Sequence, residues 1–225
     1  MRRSTLLPFV PFAALSVAHL VVLAVGPQAA AYPTKVLLMP ALLVAVFLGL
    51  RTARSSVLRV TTIAVTASWF GDVLLGMPGG ASFYLGLGAF FAAHVAYVVL
   101  FVRVIPHGRL SRIVIAALVV WWVALVVVIA PFAGPATVPI ALYGVVLAAT
   151  AVTAIGCGAR IAVGGVLFLA SDSVLALSLF IPGVSSSALD VVIMALYCAA
   201  QGLIVFGVTR ATSPVGRAAE PVPIT

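Results

Sequence analysis

The stretch "LFLASDSVLALSLF", residues 167–180, places one carboxylate, Asp172, inside a run that otherwise reads as an apolar helix. "TASWFGDVLLG", residues 66–76, repeats the pattern with Asp72. The apolar runs are long and continuous. They do not alternate every second residue, so they suit helices in lipid rather than barrel strands. The whole chain agrees with these two stretches. Of 225 residues, 64% are hydrophobic and 7% charged, and the mean hydropathy is +1.34. Such a chain has too few charges to cover a water-soluble domain. The expected class is an all-α polytopic membrane bundle, because a backbone in lipid must satisfy its own hydrogen bonds.

With about 20 apolar residues per crossing, eight spans are expected, near 5–26, 34–50, 57–76, 82–104, 111–132, 136–156, 160–181 and 187–209. Residues 1–210 form the membrane domain, and the polar, proline-rich segment 211–225 reads as a disordered cytoplasmic tail. The N-terminus mimics a signal peptide, but Leu6 to Val25 is longer than the usual h-region and reads as an uncleaved first span. Eight spans put all eleven arginines on one side: Arg2, Arg3, Arg51, Arg54, Arg59, Arg103, Arg109, Arg112, Arg160, Arg210 and Arg217. Both termini are then cytoplasmic. The content of Ala, Val, Leu and Gly points to a GC-rich bacterial genome, hence to a bacterial plasma membrane.

The isoelectric point near 10.5 does not imply nucleic acid. The basic residues sit at the ends of apolar runs, where they set topology, and form no patch. Cys157 and Cys198 lie in apolar stretches without a CxxC pair or a Cys/His cluster, so they read as small packing residues. The glycines of "YLGLGAFF" and "AVGGVLF" read as close-packing positions, not a phosphate loop.

Four acids remain to be explained. Glu220 is in the tail, whereas Asp72, Asp172 and Asp190 lie within or at the edge of spans. An Asp at mid-helix in lipid costs roughly 2.5–3.5 kcal/mol on insertion scales and usually faces the bundle interior, where it often marks a functional site. On the expected topology Asp172 is near mid-depth and Asp72 about a turn from the outer end. Asp190 lies just inside the outer surface, where it equally suits a helix first turn. His94 is near mid-depth with Tyr97 on the same face, and Lys35 stands at the outer mouth. These positions suggest one polar cavity open to the non-cytoplasmic side. Asp72 has a structural alternative as the ion-pair partner of Lys35. Asp172, flanked by serines, has Ser171 and Ser173 as hydrogen-bond candidates. Tyr143, Tyr197 and Gln201 either line the cavity or bridge helices, and His19 and His107 read as packing and surface residues.

Two carboxylates in unlike settings are the minimum kit for acid–base hydrolysis. Asp172, as the deeper and drier one, fits the acid, and Asp72 the base or cation stabiliser. No GxSxG elbow supports serine chemistry through Ser171 or Ser68 with His94. A catalytic zinc site built from His94 and the two aspartates is conceivable, but no metal or other cofactor is needed for the acid–base chemistry.

The landmarks "TKVLLMP" (34–40), "SWFGDVLLG" (68–76), "YLGLGAFFAAHVAYVVLF" (84–101), "ARIAVGGVLFLASDSVLAL" (159–177) and "ALYCAAQGLI" (195–204) resemble the YhhN family of membrane proteins. That family includes animal lysoplasmalogenases. One departure is Val36, where the family usually has proline after the lysine. The resemblance implies an eight-helix bundle that hydrolyses the vinyl-ether bond of lysoplasmalogens, with Asp72 and Asp172 as the essential carboxylates. It also implies a lysophospholipid or ether-lipid substrate within membrane lipid. Lys35 would hold the phosphate, and His94 and Tyr97 would orient water or a carboxylate. Rival readings are a transporter with a proton relay, a non-catalytic lipid-binding scaffold, and a hydrolase of another lipid bond.

Overall fold

The computed structural model describes residues 6–105, 108 and 111–212. Arg2, Arg3, His107, Arg109, Arg217, Glu220 and the tail expected from 213 onward lie outside the described residues. The helices are α1 (Val10–Val25), α2 (Ala31–Leu50), α3 (Ser55–Leu75), α4 (Gly80–Val99), α5 (Arg112–Ala133), α6 (Thr137–Ile155), α7 (Ala159–Phe180) and α8 (Ser187–Thr212). No strand occurs among the described residues. A short 3-10 turn, Leu7–Phe9, precedes α1, and a π-helical turn, Leu100–Val104, extends α4. The expected spans find these helices with ends shifted by a few residues. α2 starts three residues early because Pro33 falls in its first turn, where the missing N–H would have no partner anyway. α8 runs past the expected boundary, to Thr212.

Among the described residues seven helical stretches are long and apolar enough to cross a membrane, and the longest, Arg112–Ile155, holds both α5 and α6. These two fold back on each other. Trp122 Nε1 donates to the Ala141 carbonyl at 2.9 Å, whereas such a separation along one straight helix would be about 28 Å. The outer faces are apolar and exposed, as at Ile113, Val120 and Val127 of α5. That is the surface of an integral, multi-pass membrane protein.

Two local devices hold the interior. Pro40 sits inside α2 and has no N–H to give the Val36 carbonyl. Trp69 of α3 supplies the missing donor, Nε1 to Val36 O at 3.0 Å. α7 and α8 meet through glycine: a Cβ on Gly164 would lie 2.7 Å from Ile204 Cγ1 and 3.0 Å from the Ala200 carbonyl. Only a bare backbone permits that approach. Gly86 is likewise tight against Leu75, while Gly88 has no neighbour within 4 Å and is not a packing position.

The helices alternate in direction, and this sorts the polar residues. A cavity of about 310 Å³ is lined by the C-terminal portions of α1, α3, α5 and α7 and the N-terminal portions of α2, α4, α6 and α8. The described arginines, Arg51, Arg54, Arg59, Arg103, Arg112, Arg160 and Arg210, fall at the opposite helix ends.

Candidate functional site

The cavity brings together Lys35, Asp72, Tyr143, Ser171, Asp172, Asp190 and Tyr197. Apart from His19 and Tyr32, the rest of its wall is apolar and includes Phe83, Leu87, Leu125, Ile140, Leu175 and Leu179. A mostly apolar cavity with a few polar groups suits an amphipathic ligand.

Around Asp72 every partner is a donor. Lys35 Nζ lies 3.5 Å from Oδ1. The Tyr197 hydroxyl donates to Oδ2 at 2.7 Å. Behind it, Gln201 Nε2 donates to Tyr197 Oη at 3.4 Å and to Ser68 Oγ at 3.0 Å, and Tyr97 donates to Gln201 Oε1 at 2.5 Å. The chain Tyr97→Gln201→Tyr197→Asp72 thus points every proton toward one carboxylate. Linked bonds of this kind polarise one another, and they fix Asp72 as an acceptor. The expected Lys35–Asp72 pair is present, but inside the cavity rather than apart from it.

Asp172 is built differently. Tyr143 donates to its Oδ2, and the same hydroxyl lies 3.1 Å from His94 Nε2. His94 Nε2 is itself 3.7 Å from Asp172 Oδ2. On the far side of the ring, His94 Nδ1 is 3.1 Å from Thr150 Oγ1. Thr150 spends its own proton on the Val146 carbonyl at 2.9 Å, so its oxygen accepts from Nδ1–H. Tyr143 therefore has one proton and two neighbours able to take it. Every contact is satisfied when one further proton resides on Asp172 or on His94 Nε2, and Tyr143 can pass it between them.

Several expectations need correction. The deeper and drier carboxylate was expected to be Asp172, yet the Asp72 side chain is 2% exposed and that of Asp172 is 11%. Position along the span misled, because burial is set by neighbouring side chains and not by depth. The serines flanking Asp172 do not bind it. Ser171 donates to the Ile193 carbonyl of α8 at 2.9 Å, and Ser173 donates to Leu169 O and accepts from Trp121. Ser68 is held by Gln201, so neither serine is the partner of His94. His94 and Tyr97 share a helix face but serve different carboxylates. Asp190 is exposed in the first turn of α8 at the cavity edge. His19, read as packing, lines the cavity. Cys157 and Cys198 are free thiols, as expected of packing residues. Among the described residues no group of three or more His, Cys, Asp or Glu is placed to hold a metal ion.

Phe168 escaped the sequence reading. Its buried ring stands between the two networks, with centroids 4.6 Å from His94, 5.4 Å from Tyr197 and 6.4 Å from Tyr97. Its spacing four residues before Asp172, on the same helix face, was the available signal.

Fold and site together define a polytopic membrane helix bundle with two separately wired carboxylates in one cavity. Residues 30–208 match the model of the YhhN family, and the chain belongs to that family. It is 37% identical over 155 residues to a protein of Mycobacterium bovis named lysoplasmalogenase, and equally so to one of the same name from Mycobacterium tuberculosis. The aligned part covers 64% of this chain and 58% of each relative, so the chain matches little more than half the length of these proteins. No solved structure matches the chain.

Proposed function

We propose that the chain hydrolyses the vinyl-ether bond of lysoplasmalogens, giving a fatty aldehyde and a glycerophospho-base. The observation that carries the reading is the pair of unlike carboxylates, Asp72 and Asp172, in one mostly apolar cavity. The names of the mycobacterial relatives point the same way. In this reading Lys35 binds the lipid phosphate while the alkenyl chain lies against Phe83, Leu87 and Leu125.

The chemistry asks for a proton on the alkene carbon distal to the ether oxygen. Asp172 supplies it, and an oxocarbenium ion forms at the adjacent carbon. Asp72 stabilises that cation and takes a proton from the water that adds to it. The resulting hemiacetal collapses as Asp72 hands the water's proton to the departing glycerol oxygen and the carbon–oxygen bond breaks. The hemiacetal hydroxyl proton, released as the aldehyde forms, returns to Asp172 through the His94–Tyr143 pair. The roles are those expected from the sequence, but for another reason. Asp72 faces only donors and stays an acceptor, while Asp172 adjoins groups that can reload it. Tyr97, Gln201 and Ser68 act through Tyr197 as positioning residues.

The reading includes eight crossings of a bacterial plasma membrane with both termini cytoplasmic and the cavity open to the other side. The arginine distribution supports it. The test is mass spectrometry of lysoplasmalogen incubated with the purified protein, beside a matched ester lysophospholipid. Aldehyde from the vinyl ether alone, lost in Asp172→Asn, is the expected result. Release of fatty acid from the ester, or no product from folded protein, would overturn it.

A further inference from the structure

His19 of α1 lies before the stretch that matches the family, and no step above uses it. It is 1% exposed and is one of the residues that line the cavity. Its Nδ1 lies 2.8 Å from Thr34 Oγ1. The Thr34 hydroxyl proton is already committed to backbone carbonyls at the start of α2, Ala30 O of the N-cap at 2.7 Å and Ala31 O at 3.0 Å. Thr34 Oγ1 can therefore only accept, which places the ring proton on Nδ1. Nε2 is left with a lone pair, and it has no hydrogen-bond partner among the described residues. A buried acceptor without a donor is costly and calls for an explanation.

We infer that His19 is a specificity residue whose Nε2 accepts a hydrogen bond from the free glycerol hydroxyl of a monoacyl-type lipid. This rests on the lipid-hydrolase reading and names what the cavity recognises besides the reactive bond. A lone pair takes a donor, which excludes the phosphate and ether oxygens of such a lipid. Its remaining donors are the glycerol hydroxyl and, for some headgroups, an ammonium. Lys35 follows Thr34 directly in α2 and brings a positive charge to the same part of the wall. A second cation is repelled there and a neutral hydroxyl is not. The hydroxyl also adjoins the phosphate along the glycerol, as His19 adjoins Lys35 along the wall. An acyl group in place of the hydroxyl removes the donor.

The experiment measures Kd for a saturated 1-O-alkyl lysophosphoethanolamine, which has no vinyl ether to cleave, and for its 2-deoxy analogue. A third ligand keeps the hydroxyl and carries an ethyl group in place of the aminoethyl headgroup. Wild-type protein should prefer the hydroxyl compound by about tenfold. His19→Phe keeps the ring volume without the acceptor, and should bring that ratio within about twofold while leaving the headgroup ratio unchanged. His19→Gln, which offers an amide oxygen, should recover part of the preference. Thr34→Val, which releases the ring, should weaken it with α1 otherwise untouched. An equal ratio in wild type and His19→Phe overturns the inference, as does a wild type that binds neither lipid or does not discriminate. A change in the headgroup ratio instead would make the ammonium the donor and overturn the hydroxyl assignment. Loss of hydroxyl discrimination in His19→Phe, without aldehyde from lysoplasmalogen in wild type, would refute the hydrolase and leave the hydroxyl site standing.

Discussion

An acid that protonates carbon must be reloaded each turnover, and the Tyr143 hydroxyl is the link between Asp172 and His94. Tyr143→Phe keeps the ring and cuts the link. It should lower kcat by about a hundredfold, within the usual range for general acid–base groups, with little change in KM. Steady-state rates of aldehyde release check this, and unchanged kcat would remove Tyr143 from the relay. Asp72→Asn differs, because it leaves the Lys35 ammonium and the Tyr197 hydroxyl without their carboxylate. It should cost both activity and stability. Cys157 provides a contrast at the same scale. Its thiol, in the turn after α6, donates to Thr153 O at 3.3 Å and Phe101 O at 3.5 Å. Burial pushes its pKa up to about 11. Thiolate is lost as pH falls below that value, so only about one thousandth is thiolate at about pH 8. Maleimide labelling of the native protein at that pH should be far slower than of the detergent-denatured chain.

Single elements are tied by bonds that the helices cannot supply themselves. α2 lacks one backbone hydrogen bond at Pro40, and the Trp69 indole closes the gap from α3. Trp69→Phe fills nearly the same space but leaves the Val36 carbonyl unpaired. The expected cost is about 1–3 kcal/mol, read as a lower thermal midpoint in detergent. Lys35 is on the turn just before Val36, so the same change should raise KM more than it lowers kcat. The tie uses only the backbone of Val36.

At the scale of the molecule, polar groups and arginines separate to opposite ends of the bundle. The cavity with Lys35, Asp72, Asp172 and Asp190 forms at one end, and the described arginines mark the other. On the proposed topology the arginine end faces the cytoplasm, the side that the positive-inside rule favours. A fluorescent protein fused after the C-terminus should be bright, and alkaline phosphatase at the same place inactive. A reporter in the α3–α4 turn should give the reverse. An active phosphatase at the C-terminus would refute the proposed topology.

The sequence by itself determined the class, the helices and the short list of residues. Continuous apolar runs leave the backbone no choice but helix in lipid, and an ionisable group is costly enough there that Asp72 and Asp172 could be picked out singly. The pairing of Lys35 with Asp72 was also legible, since their span ends share one side. Only the tertiary structure decided which partner each carboxylate has. Asp172 turns to Tyr143 of α6 rather than to its neighbours Ser171 and Ser173. His94 and Tyr97, one turn apart, part company to serve different networks. Phe168 and His19 gained their places in the same way. Spacing along one helix fixes which residues share a face. Which residues of other helices meet that face depends on rotation and close approach, and those follow from packing of the whole bundle.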